Sequence, residues 1–383
     1  MFKLKFLSIL LALLLTIMLV TNAFALEIKK TDMTFEVKSA VLMDASTGTV
    51  LFEQNMNEAL PPASVTKVMT LLLVFEALQK GTLKYDEMLV VSENAASMGG
   101  SQVFLEPGES MSVDELLKCV VVSSANDAAV TLAERVAGSE EAFVGQMNKR
   151  AEELGMKNTH FENVTGLDDD VQHHLTSAYD IALMSKELLK HEKVMEYTTI
   201  WMDTIRNGEF GLSNTNRLVK YYKGATGLKT GYTSSAGFCI SASAKRDNLH
   251  LIAVIMGANS SSQRNAIATK LLDYGFANYY TYCDNKNDCG TIKVLSGNKE
   301  EVRVGYESYN MLENIGNFDK IEKEIILQES ISAPVKIGDE VGKIVYKLDG
   351  KTIGENKILA LEDVEELSVW DYFVKLLENF ILN

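Results

Sequence analysis

From Thr34 to about Tyr282 the chain alternates strand-like and helix-like stretches, told apart by the spacing of their apolar residues. Val41-Leu42-Met43-Asp44 and Thr49-Val50-Leu51-Phe52 are short apolar runs, and Ala45-Ser46-Thr47-Gly48 between them reads as a hairpin turn. Thr66 to Lys80 carries apolar residues at helical spacing and stops at Gly81, a usual C-terminal cap. Helices are predicted at about Val113–Val122, Asp127–Ala137 and Glu140–Leu154, the last two ending at Gly138 and Gly155. Ser177-Ala178-Tyr179-Asp180 begins another, with a serine cap and an acid three residues on. Gly237–Ala244 and Leu249–Gly257 read as two strands joined at Lys245-Arg246-Asp247-Asn248, and Arg264 to Tyr274 as a closing helix.

Beyond about Gly290 the pattern changes. Short runs such as Glu324–Gln328, Lys343–Lys347 and Lys357–Ala360 are separated by the turns Lys336-Ile337-Gly338-Asp339 and Leu348-Asp349-Gly350-Lys351, which predicts a small all-β sandwich. In the last segment Trp370, Phe373, Leu377 and Phe380 fall on one helical stripe. Aromatic residues on an apolar face favour an interfacial membrane anchor over a helix docked on its own domain, although the polar face carries Asp371, Lys375 and Glu378 rather than a basic cluster.

At the other end, Lys3 and Lys5 precede an apolar run from Phe6 to Val20, and Ala23-Phe24-Ala25 supplies small residues for a signal peptidase. The run is shorter than the roughly 20 residues of a spanning helix. Residues 1–25 are therefore expected to be a cleaved signal peptide and the mature protein to be exported. The 46% hydrophobic and 23% charged content allows a full core over the 383 residues. A formal net charge of −15 argues against nucleic acid, which rewards clustered Lys and Arg. Four cysteines are too few for a disulfide-built scaffold: Cys119 and Cys239 sit in apolar stretches, while Cys283 and Cys289 flank a polar loop and are either paired or free.

Three short patterns carry candidate chemistry. Ser64 and Lys67 stand i and i+3 on one helix in Pro61-Pro62-Ala63-Ser64-Val65-Thr66-Lys67, where a lysine stripped of its proton can activate a serine hydroxyl. That requires Lys67 to be desolvated and near another cation, for which Lys229 is the candidate. The spacing alone decides nothing, because Ser296-Gly297-Asn298-Lys299 repeats it in a turn, and the cap is the bland alternative for Ser64. Ser124-Ala125-Asn126 falls in a break between two predicted helices, although Ser92-Glu93-Asn94 and Ser308-Tyr309-Asn310 match the same spacing. Lys229-Thr230-Gly231 occurs once, ahead of a predicted strand; lysine and threonine alternate across a strand's faces and need twist or a bulge to address one ligand, and its glycine leaves space for a ligand backbone.

Ser-x-x-Lys, Ser-x-Asn and Lys-Thr-Gly in this order are the signature of penicillin-binding proteins and class A β-lactamases. With Gly100-Ser101-Gln102, Asn214-Thr215-Asn216, Gly227 to Thr233 and Leu272-Asp273-Tyr274-Gly275-Phe276, the chain resembles a low-molecular-mass penicillin-binding protein of the D-alanyl-D-alanine carboxypeptidase type, closely from Val37 to Tyr280. The resemblance implies an α/β (α+β) penicillin-binding/β-lactamase-like domain, an antiparallel sheet flanked by helices, over residues 34–282. A β-rich domain over 290–366 and an amphipathic helix over 368–383 would follow. It implies a serine-type carboxypeptidase that removes the terminal D-alanine from peptidoglycan stem pentapeptides ending in D-Ala-D-Ala and is acylated by β-lactam antibiotics, working on the cell-wall side of the cytoplasmic membrane in peripheral association with it. Ser64 would be the nucleophile, Lys67 its base and Ser124 a proton relay to the leaving amine. Asn126 would hold the substrate's peptide, Lys229, Thr230 and Gly231 would bind at the terminal carboxylate, and the backbone N–H groups of Ser64 and Tyr232 would form the oxyanion hole. No cofactor and no metal are implied.

Three other readings compete. A class A β-lactamase shares the three patterns but uses a Glu-x-x-Leu-Asn loop, and here Glu162-Asn163-Val164-Thr165-Gly166-Leu167 follows the carboxypeptidase pattern instead. A zinc hydrolase is suggested by Asp168-Asp169-Asp170-Val171-Gln172-His173-His174, though adjacent histidines in an acidic loop are expected to be solvated. A catalytically silent wall-binding protein would lack the chemical residues that are present here.

Overall fold

The computed structural model describes residues 28, 31–167 and 172–374. The expected signal peptide, Asp168–Val171 and the terminal helix beyond Val374 lie outside the described residues.

Period-two alternation builds the sheet of the larger unit, which runs from Ile28 to Thr281. Its five antiparallel strands stand in the order Val50–Gln54, Ser39–Asp44, Leu249–Ala258, Gly237–Arg246, Ala225–Thr233. Val41, Met43, Ile252, Val254 and Met256 belong to one side and enter the main helical core. Leu42 and Leu251 belong to the other side, where the Ser261–Asn278 helix lies so close that a Cβ on Gly275 would come within 2.4 Å of Leu251 and 3.1 Å of Leu42. Both central strands are thus buried on two faces, which is why they read as nearly unbroken apolar runs.

The Lys67–Gln79 helix is buried almost all round, Lys67 to Phe75 without interruption, so it forms the centre of the helical layer. Around it pack the helices Asn126–Ala137, Glu140–Glu153 and Ala178–Leu188. Their ends follow local chemistry: Ser112, Ser139 and Ser177 each accept a backbone N–H three residues on, and Gly138 and Gly155 take positive φ. The closing helix begins at Ser261 rather than Arg264, because Ser260 caps it through the Gln263 N–H.

The smaller unit, from Tyr282, is β-rich, and its six-stranded sheet runs Ile321–Leu327, Glu340–Leu348, Lys351–Ala360, Glu301–Tyr306, Asn287–Leu295, Ser330–Ser332. Val302, Val304, Val341, Ile344, Tyr346 and Ile358 form its core. Ser296, with φ +61°, starts a turn, and Lys299 pairs with Glu362, so the second Ser-x-x-Lys is a surface connection. Cys283 and Cys289 are not joined to each other in a disulfide.

Candidate active site

Two prolines bring the chain into a short 3₁₀ turn, Ala63–Thr66, that leads into the Lys67–Gln79 helix. Neither turn nor helix has a side-chain cap, so the Ser64 hydroxyl is not spent on one. It is half-buried and faces Lys67, whose Nζ lies 3.1 Å from its Oγ.

The Lys67 amine is wholly buried and has two further partners, Asn126 Oδ1 at 2.5 Å and the Thr165 carbonyl at 2.9 Å. Both accept only. A neutral amine fits this surrounding: its two N–H groups serve the two carbonyl oxygens and its lone pair faces the Ser64 hydroxyl. Burial is the largest influence pulling the Lys67 pKa well below the usual lysine value; the Lys229 charge adds to it and Asp127 opposes it. The desolvated lysine expected from sequence, close to a second lysine, is what the fold provides.

Ser124 occupies the break between the helices Val113–Val122 and Asn126–Ala137, buried and with φ +63°. The Ala125 N–H reaches back to the Cys119 carbonyl, which closes the turn. Asn126 donates its Nδ2 to the Gly99 carbonyl at 2.7 Å, and this fixes its Oδ1 toward Lys67. Next to it the fully buried Asp127 accepts from the N–H groups of Val103 and Leu105 at 3.0 and 3.1 Å and pins the 99–105 loop beside the site.

Lys229-Thr230-Gly231 lies within the edge strand Ala225–Thr233 rather than ahead of a strand. In register Lys229 stands opposite Ser241 and faces the helical layer. Its Nζ donates to the carbonyl of Thr230 at 2.8 Å, so the side chain bends along its own strand. Burial first, and then the Arg264 guanidinium, lower the Lys229 pKa to about 7. Thr230 donates its hydroxyl to Thr215, the centre of Asn214-Thr215-Asn216. The space left by Gly231 is taken up by the protein itself: a Cβ there would stand 2.8 Å from the Ser64 nitrogen and 3.0 Å from the Pro62 oxygen. Tyr232 leaves its ring exposed, tilted over Phe238 at 4.3 Å.

Ser64, Lys67 and Asn126 are thus joined by hydrogen bonds, Gly231 stands against the Ser64 nitrogen and the Lys229 charge acts on Lys67, while Tyr232, next to the third pattern, turns its side chain outward. Sequence reasoning missed Thr165, which acts through its carbonyl; Gly166, where a Cβ would fall 1.9 Å from the Ala63 oxygen; Asp127; and Arg264, whose own pKa burial lowers to about 10. It also misjudged His174. That ring is buried rather than solvated, accepting the Glu162 N–H at Nδ1 and meeting Thr66 at Nε2, while His173 is exposed.

Residues 26–260 match the D-alanyl-D-alanine carboxypeptidase family, and residues 280–366 match the C-terminal domain of penicillin-binding protein 5. The D-alanyl-D-alanine carboxypeptidase DacF of Bacillus subtilis (strain 168) is 46% identical over 92% of this chain and 94% of its own. Among solved structures, penicillin-binding protein 5 of Haemophilus influenzae superimposes with TM-score 0.75 at 31% identity, covering 88% of this chain and all of its own. Penicillin-binding protein D2 of Listeria monocytogenes in its ampicillin-bound form gives TM-score 0.59 at 32% identity over 64% of this chain and all of its own.

Proposed function

The chain belongs to the D-alanyl-D-alanine carboxypeptidase family of low-molecular-mass penicillin-binding proteins and is a serine-type D-Ala-D-Ala carboxypeptidase; within that reaction we propose that Ser64 is the nucleophile and Lys67 its general base. The observation that carries this is the Lys67 amine itself, buried among two pure acceptors and one hydroxyl.

The neutral amine takes the Ser64 proton as Oγ attacks the carbonyl of the penultimate D-alanine. The oxyanion is received by the N–H groups of Ser64 and Tyr232, a reading supported by the close approach of Gly231, the residue before Tyr232, to the Ser64 nitrogen. Ser124 relays the proton to the departing D-alanine amine. Lys229 and Thr230 hold the substrate's terminal carboxylate, with Arg264 adding positive potential behind them. Water then hydrolyses the ester on Ser64, with Lys67 again the base. Asn126, with both ends of its amide engaged, orients Lys67; it reaches the substrate's peptide as well only by sharing the Nδ2 that now serves Gly99.

Penicillins mimic the same dipeptide, and a relative is known in an ampicillin-bound form, so a penicillin acylates Ser64. The loop that meets Lys67 offers the carbonyl of Thr165, and its carboxylate, Glu162, is tied to the His173 N–H; this favours a long-lived adduct over rapid β-lactam turnover. Incubation with a fluorescent penicillin followed by peptide mapping tests the assignment: the label is expected on Ser64 and to persist, and a label elsewhere or fast release of penicilloate contradicts it.

Action on peptidoglycan implies a mature enzyme outside the cytoplasm, in keeping with the leader expected over residues 1–25. The chain from Val369 to Val374 is helical, capped by reciprocal bonds between Ser368 and Asp371, and Val369, Trp370 and Phe373 are exposed. This is the start of an interfacial anchor. Flotation with anionic vesicles tests it: the intact chain should float and a chain ending at residue 367 should not.

A further inference from the structure

We propose that Thr66 and His174 are positioning residues for the oxyanion hole, acting through the peptide between Ala63 and Ser64. The proposal rests on the reading that the Ser64 N–H receives the oxyanion.

Ala63 and Ser64 share one peptide group, whose carbonyl is that of Ala63 and whose N–H is that of Ser64. Ala63 has φ +49°, in the left-handed region that a residue with a Cβ seldom adopts, so this peptide needs external support to keep its plane. The support on the carbonyl side is a directed chain. The Glu162 N–H donates to His174 Nδ1 at 3.0 Å, so Nδ1 carries no proton and the ring's proton is on Nε2. Nε2 lies 2.8 Å from Thr66 Oγ1 and donates to it. Thr66 then has its own proton free to give, and Oγ1 donates to the Ala63 carbonyl at 2.9 Å. Ala63, Thr66 and His174 are buried, and the His174 ring is held edge-on by Phe161 with ring centres 5.7 Å apart.

Two features separate this chain from ordinary packing. Thr66 lies inside the continuous turn that leads from Ala63 into the Lys67–Gln79 helix, with φ −43° and ψ −39°, and its hydroxyl bonds back to the carbonyl three residues earlier, which here is the carbonyl of the peptide that carries the Ser64 N–H. Second, the same peptide is gripped on its other side, where Gly231 presses on the Ser64 nitrogen, while Gly166 closes on the Ala63 oxygen. Hydrogen bonding to a peptide carbonyl polarises that peptide's N–H, because chained bonds strengthen one another in a low-dielectric interior. The relay from His174 through Thr66 therefore both fixes the plane of the Ser64 N–H and sharpens it as a donor.

Infrared spectroscopy of the penicillin adduct reads this directly, since a stronger oxyanion hole lowers the stretching frequency of the ester carbonyl. Wild type, Thr66→Val, Thr66→Ser, His174→Phe and His174→Gln are acylated with a carbonyl-labelled penicillin, with thermal unfolding recorded alongside. The wild-type ester should absorb at lower frequency than the same adduct after denaturation. Thr66→Val and His174→Phe should shift it upward and slow acylation about tenfold, less than the loss of a direct oxyanion donor, without moving the acid limb of the pH profile set by Lys67. Thr66→Ser should restore both frequency and rate, and His174→Gln, which keeps an N–H donor, should restore part. Slower acylation with an unmoved frequency in every folded variant would overturn the proposal, as would unchanged rate and frequency. A wild-type adduct no different from its denatured form would instead refute the oxyanion reading on which the proposal stands.

Discussion

Lys67 and Asn126 are joined by a 2.5 Å contact between Nζ and Oδ1, so the Ser-x-Asn pattern serves the Ser-x-x-Lys pattern before it serves any substrate. The amide oxygen accepts from the amine and offers it no negative charge. This lets burial and Lys229 keep the amine's pKa low.

Asn126→Asp places a carboxylate at that contact. The ammonium form gains, the Lys67 pKa rises, and the neutral base appears only at higher pH. The acid limb of acylation against pH should move to the alkaline side, with at least about a tenfold loss of rate at pH 7. An unmoved limb, with acylation measured by stopped flow, would show that Lys67 does not set it.

Asp127→Asn has the opposite electrostatic sign. Asp127 raises the Lys67 pKa, so its neutralisation should shift the same limb to lower pH. The amide also leaves the N–H groups of Val103 and Leu105 poorly served, and unfolding in urea should show a loss of roughly 1–3 kcal/mol.

Lys229 is a buried cation that costs stability. Its folded pKa of about 7 lies below the ordinary 10.5, so between those values the unfolded chain binds more protons and stability rises with pH. Below about pH 7 the penalty is fully present. Lys229→Met should therefore raise stability at pH 6 by roughly 1–3 kcal/mol while weakening binding of a substrate carboxylate, and the stability gain should shrink toward pH 10. A variant less stable than wild type at pH 6 would contradict the assignment of burial as the dominant influence.

Gly231→Ala tests the close approach of strand and nucleophile. The new Cβ meets backbone at 2.8 Å and must push the edge strand away from Ser64, so acylation should fall by about a hundredfold or more while the fold survives. Gly166→Ala, with φ +84° and a contact at 1.9 Å, should be worse for stability, by roughly 2–4 kcal/mol. Thermal melts with acylation rates separate the two effects.

Much of the fold was legible because its cues are local. The Val113–Val122 helix has the bounds its spacing predicted, and Gly138 ends the next helix as a left-handed cap. The start of the Ser261–Asn278 helix was missed because Ser260 to Gln263 looks like a polar loop until its cap bond is seen. In the site, side chains with motif spacing were found and the groups that support them were not. The Thr165 carbonyl has no side-chain signature, and Arg264 reaches Lys229 only through the folding of a helix onto the sheet. His174 was misread because its acidic neighbours in sequence suggested water, whereas the fold turns its ring inward against Phe161. Gly231 was assigned to a ligand because a one-dimensional reading cannot show that Ser64 occupies the space.

The most direct test is the release of D-alanine from a peptide ending in D-Ala-D-Ala by the mature protein and by its Ser64→Ala variant, both verified as folded. Wild type should release D-alanine catalytically, and the variant should release none above the uncatalysed rate. Equal release by both would refute Ser64 as the nucleophile and the Ser64–Lys67 mechanism with it.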